Sequence, residues 1–145
     1  MLQNHPSVAH ERRRALLDVL GRMAGYGWGP HGGFPDRRQP DVLRYDPRCR
    51  SIFVGEAKET ESPGCAATRE RLRGYLLWMR AITRLRGAGT LAVCAGDSNA
   101  AIGWANTLRR LAEECKLPNC VSRAAVLDDD AVVIWISFGH RAHVL

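Results

Sequence analysis

Two short stretches of this chain bring together side chains that could cooperate in chemistry: Pro40-Asp41 and, after 14 intervening residues, Glu56-Ala57-Lys58. In an extended strand, residues two apart share a face, so Glu56 and Lys58 project together and Ala57 points the other way. A hairpin turn centred between Arg48 and Cys49 would set Asp41 opposite Glu56, with about 5 Å between their Cβ atoms. Two carboxylates that close repel each other unless a cation lies between them or one keeps its proton. An oxygen-rich pair with open positions suits Mg²⁺, which keeps several waters and shares phosphate oxygens as ligands; Mn²⁺ is the expected substitute. Lys58 beside the cation could orient or deprotonate an attacking water and neutralise charge developing on phosphorus. Those parts suffice for hydrolysing a phosphodiester.

The pattern has internal comparisons. Glu114-Cys115-Lys116 has the same acid-x-Lys spacing, but it falls at the end of an expected helix, where residues two apart diverge by about 200°. Pro35-Asp36 repeats the Pro-Asp dipeptide inside a Gly/Pro-rich loop, where nothing sets its carboxylate opposite Glu56. Lys58 is also unusual for this chain, since 19 of its 21 basic residues are Arg. An ammonium can lose its proton, whereas a guanidinium effectively cannot.

Elements that could position these residues follow from apolar periodicity. A helix is expected from about Ser7 to Ala24, with Ser7 as N-cap, Leu16, Leu20 and Met23 as its buried stripe, and Gly21 and Gly25 favouring an early stop. Gly25 to Gln39 reads as a loop carrying Arg37 and Arg38. Asp41–Asp46 and Ser51–Lys58 read as two strands around Pro47-Arg48-Cys49-Arg50. The most regular helix spans about Ala66 to Arg86, with Leu72, Tyr75, Leu76, Met79, Ile82 and Leu85 inward and six arginines on its other faces. Thr90–Ala95 reads as a buried strand. Ser98–Cys115 reads as a helix with Ile102, Ala105, Leu108, Leu111 and Ala112 inward, and Val121–Leu127 with Ala131–Phe138 as a final hairpin. The expected fold is α/β: a three-layer α/β/α sandwich around a mixed sheet, built as one domain over residues 1–145.

Pro40-Asp41 followed by Glu56-Ala57-Lys58 resembles the PD-(D/E)XK, or restriction-endonuclease-like, nuclease superfamily. That family's core is a helix, strands bearing the acid and the E-x-K pair, a helix and a further strand; the order expected here from about Ser7 to Ala95 is similar. The resemblance implies a restriction-endonuclease-like core and a metal-dependent DNA endonuclease. It further implies that Asp41 and Glu56 bind Mg²⁺, that the Ala57 carbonyl joins them, and that Lys58 activates water. Glu11, early in the first helix, resembles an accessory acid that some members place there, including archaeal Holliday-junction resolvases. It also lies nearly opposite the Leu16/Leu20/Met23 stripe, as an ordinary exposed Glu would. Arg71 and Tyr75 stand four apart on one helix face, where exonuclease-like members carry Gln-x-x-x-Tyr. Arg in place of Gln departs from that pattern and argues against an exonuclease; Arg71 reads equally as a phosphate contact or as a solvated edge arginine.

Charge and composition bound the alternatives. Net charge is +6, with +7 on residues 1–86 and −1 on residues 87–145. A basic first half fits a polyanionic partner, expected to be DNA, or equally a solvated Arg-rich surface. Arg37, Arg38, Arg69, Arg71 and Arg73 are candidate phosphate clamps with Tyr75 beside them, each arginine equally readable as solvated. The rival is a non-catalytic nucleic-acid-binding module on the same fold, its acids structural. One centre per chain cuts one strand, so cutting both calls for a homodimer or repeated binding. Five cysteines, an odd count without C-x-x-C spacing, point to a reduced, cytoplasmic protein. The longest strongly apolar run, Ala131–Ile136, is far short of a membrane span, and the N-terminus lacks an apolar leader. There is no P-loop or dinucleotide fingerprint, and Asp128-Asp129-Asp130 reads as a polar turn.

Overall fold

A computed structural model describes residues 8–23, 40–46, 51–58, 63–83, 88–96, 98–117, 119–128 and 131–139. The elements in chain order are α1 (Val8–Met23), β1 (Val42–Asp46), β2 (Ser51–Lys58), α2 (Ala66–Thr83), β3 (Ala88–Ala95), a 3₁₀ turn (Ser98–Ala100), α3 (Ala101–Glu114), β4 (Val121–Asp128) and β5 (Ala131–Gly139). The protein is α/β; its described residues form a five-stranded mixed sheet ordered β1-β2-β3-β5-β4 and three α-helices. Only β2 and β3 run parallel, joined through α2; every other neighbouring pair is antiparallel.

Helices cover both faces of the sheet. On one face α2 and α3 bury Leu72, Leu76, Met79, Trp104 and Leu108 against Ile52, Val54, Leu91 and Ile134. On the other, α1 sets Leu17 into a smaller cluster with Phe53, Ala57, Ala92 and Cys94. Strands β2, β3 and β5 are therefore buried along nearly their whole lengths, which explains their near-continuous apolar reading.

The helix phases differ from expectation at three places. On α1 the fully buried residue is Leu17, with Leu16 and Leu20 only partly covered. Gly21 does not stop that helix; it packs against Phe53, where an added Cβ would lie 3.0 Å from the ring. On α2 the buried stripe ends in Thr83, whose hydroxyl donates to the Met79 carbonyl, while Ile82 is exposed. On α3 Trp104 takes the inward position and Ile102 is exposed. In each case a bulky or hydroxylated neighbour one or two residues along sets the phase of the packed face. Leu85, Met23's side chain and the loop from residue 24 to 39 lie outside the described residues, as does the turn at 47–50. No helix among the described residues is long and apolar enough to cross a membrane.

Gly89 shows how little slack the central strand has. A Cβ there would come within 2.6 Å of two Phe138 ring carbons and 2.8 Å of the Met79 terminal methyl. Phe138 is fully buried and cannot swing aside. Gly89→Ala should therefore cost about 1–3 kcal/mol through overpacking. Equilibrium urea denaturation checks it, and an unchanged midpoint would show that this contact has room to relax.

Candidate active site

Val42 pairs with Gly55 and Leu43 with Val54, the register that sets Asp41 opposite Glu56. The chain bends at Asp41, one residue before β1 begins. There the two strands exchange side-chain contacts crosswise. The Asp41 backbone N–H donates to Glu56 Oε1 at 3.3 Å, and the Ala57 N–H donates to Asp41 Oδ2 at 2.8 Å. Asp41 thus satisfies an N–H of β2 at the point where β1 stops supplying ladder partners.

Glu56 and Lys58 do share a face, but that face lies beneath α2 and both residues are buried, at 3% and 4% exposure. A buried carboxylate is costly unless paired and hydrogen-bonded. Among the described residues Glu56 has four partners: the Tyr75 hydroxyl donates to Oε1 at 2.9 Å, Asp41 N–H shares that oxygen, and Lys58 Nζ and Arg71 Nη1 stand 3.3 and 3.7 Å from Oε2. Arg71 and Tyr75 come from one helical face because they are four residues apart on α2. Arg71 also keeps a buried Nε–H without a hydrogen-bond partner among the described residues.

Burial pushes the Glu56 carboxyl above its ordinary value of 4.5, and the neighbouring Asp41 charge adds to the rise; Lys58 and the Tyr75 hydrogen bond pull the other way. Burial and the Glu56 charge push the Tyr75 phenol upward as well, so it remains a proton donor at neutral pH.

Residues from α1 that sequence reasoning missed approach from the opposite face. His10 Nε2 lies 3.5 Å from Asp41 Oδ1. Arg14 Nε donates to the Asp41 carbonyl at 2.9 Å, and Arg13, itself buried, donates to the Lys58 carbonyl at 3.2 Å. Their spacing was the available signal: 10, 13 and 14 fall at i−7, i−4 and i−3 from Leu17, on the helix face that Leu17 buries.

The remaining expected residues are more dispersed. Glu11 is exposed, 3.7 Å from Arg14, in the wall of a depression of about 320 Å³ that also contains Asp41, Asp18 and Val42. Arg69 is exposed and lines a separate depression with Thr107 and Arg110. Arg73 bonds across to Glu114 on α3 at 2.7 Å and lies 3.7 Å from Glu70. Arg37 and Arg38 lie outside the described residues.

The donor set can be tested for a divalent cation. Asp41 Oδ1 and Glu56 Oε2 are the two carboxylate oxygens whose neighbours are all at 3.3 Å or beyond among the contacts described above. Two carboxylates and a backbone carbonyl make an all-oxygen set, which fits Mg²⁺ completed by waters. Among the described residues, no group of three or more His, Cys, Asp or Glu side chains gathers as a site for a metal ion. The chain matches no family model, and no curated protein or solved structure matches it. Its chemistry is therefore read from this geometry.

The raised Glu56 carboxyl has a pH signature. As pH falls, the folded protein takes up this proton before the unfolded chain does. The stabilisation is fully present below the unfolded value and is lost as pH rises through the folded one. In chelator, thermal stability should thus decline as pH climbs from 4.5 upward through the raised folded value. Glu56→Gln should flatten that slope. Parallel melting curves for the two proteins would show the Glu56 contribution to be absent.

Proposed function

We propose that the protein is a metal-dependent nuclease that hydrolyses phosphodiester bonds, with DNA as its substrate. The observation carrying this reading is the placement of Lys58 Nζ 3.3 Å from Glu56, beside the crossed hydrogen bonds that tie Asp41 to Glu56 and Ala57. A restriction-endonuclease-like core is part of the same proposal, supported by the order α1, β1, β2, α2, β3 and by the acids at the meeting of β1 and β2.

Asp41, Glu56 and the Ala57 carbonyl would hold Mg²⁺ or Mn²⁺. When bound, such an ion acidifies water and offsets charge on a phosphoryl oxygen. The protein's own contribution is positional. Tyr75 and the Asp41 N–H fix Glu56 through Oε1 and leave Oε2 turned toward Lys58 and Arg71. Lys58 would orient the attacking water and offset charge developing on phosphorus. Arg71, about a quarter exposed and 3.7 Å from Glu56 through Nη1, would offer the outer edge of its guanidinium to a non-bridging phosphate oxygen. Arg69 lines a separate depression beside α3 and Arg73 is engaged with Glu114, so neither is assigned a phosphate contact at this centre. Glu11 borders the same depression as Asp41 and is an accessory position in this scheme.

One centre per chain implies nicking, with double-strand breaks arising from a homodimer or from repeated encounters. Supercoiled plasmid with Mg²⁺ or Mn²⁺ should accumulate relaxed circles, and chelator should stop the reaction. Asp41→Asn and Lys58→Ala, checked for folding, should each lower the rate by about 10²-fold or more. Equal cutting by wild type and variants would place the activity elsewhere. Salt-sensitive DNA binding without cleavage by any of them would establish the binding-module alternative.

A further inference from the structure

Because the Ala57 N–H bonds to Asp41, it points toward the β1 side of β2. In a strand, the N–H and C=O of one residue point the same way, and successive residues alternate. The Ala57 carbonyl therefore faces β1 too, and the carbonyls of Glu56 and Lys58 face β3. The Arg13 contacts agree: its guanidinium donates to the Lys58 carbonyl and lies where a Cβ on Gly96, just past the end of β3, would strike it. Continuing the register of Val42 with Gly55 sets Pro40 against Ala57. In a regular antiparallel ladder, residue 40 would accept the Ala57 N–H and donate its own N–H to the Ala57 carbonyl. Proline has no N–H to give.

We propose that Pro40 is a positioning residue that works through the hydrogen bond it cannot make: it ends the β1–β2 ladder one pair early, leaving the Ala57 carbonyl open as a third oxygen ligand for a divalent cation beside Asp41 and Glu56. This deepens the metal-dependent reading and rests on it. At the end of β2 one outward carbonyl, that of Lys58, is closed by a guanidinium, and the next one back is set against a residue without a donor. The shortened ladder also turns Asp41 so that its carboxylate replaces the Pro40 carbonyl as acceptor for Ala57 N–H. Without the proline, that carboxylate would lose the interaction that holds it at the site.

Pro40→Ala and Pro40→Val both restore an N–H, and Val keeps most of the apolar bulk at this buried position. In the full-length chain, both should bind Mn²⁺ about 10- to 100-fold more weakly than wild type, measured by electron paramagnetic resonance without nucleic acid. The residue-40 amide should be protected from hydrogen exchange, and the urea midpoint should be unchanged or higher. Wild-type Mn²⁺ affinity in a folded variant with a protected residue-40 amide would overturn the proposal. So would a freely exchanging amide at that position, or a wild-type protein that binds no Mn²⁺. A wild type that binds Mn²⁺ yet cuts no DNA would sink the nuclease reading and leave the role of Pro40 standing.

Discussion

A carboxyl group buried at the end of a sheet constrains everything around it. Glu56 lies on a strand covered by helices on both faces, so its carboxylate cannot turn to solvent and must be satisfied by protein. Its partners come from three elements: Asp41 from the approach to β1, Lys58 from β2 itself, and Arg71 and Tyr75 from α2. Shifting β1 by one residue would remove Asp41 from opposite Glu56, and rotating α2 by one position would remove both of its donors together. The carboxylate thus ties strand register and helix phase to a single condition.

The two faces of the sheet divide the work. From the α2 side, side chains reach the Glu56 side chain. From the α1 side, Arg13 and Arg14 reach backbone carbonyls, and His10 approaches Asp41. Leu17 anchors α1 close enough for this, with Gly21 allowing the helix to settle against Phe53. Arg44, buried at the side of β1 and bonded to Asp18 on α1 at 2.7 Å, ties the first helix to the edge strand. The outer helix therefore fixes the strand ends that present the acids.

Much of this was legible in the sequence because it depends on local periodicity. Period-two spacing put Glu56 and Lys58 on one face, turn symmetry set Asp41 against Glu56, and apolar runs marked each described helix and strand within a few residues. Helix phase was harder. Arg13 counts as polar, so the inner face of α1 was misplaced toward Leu16 and Leu20. Ile82 and Ile102 looked like core residues because only the folded sheet reveals that Thr83 and Trp104 hold the inward positions. The burial of Glu56 and Lys58 was not visible in eight residues of strand, since it requires a helix supplied from elsewhere in the chain. Contacts such as Arg13 to Lys58, 45 residues apart, leave no local trace.

The strand order has a kinetic side. β3 lies between β2 and β5, so the centre of the sheet has one neighbour missing until residues 131–139 arrive. Every residue of the acid–lysine cluster precedes β3 in sequence, but the strand beside theirs gains its second partner only through residues 131–139. Pairings of such long sequence separation form slowly, after their loop-closure entropy has been met. During synthesis the chain therefore carries all the groups of its candidate centre well before the sheet that aligns them is complete.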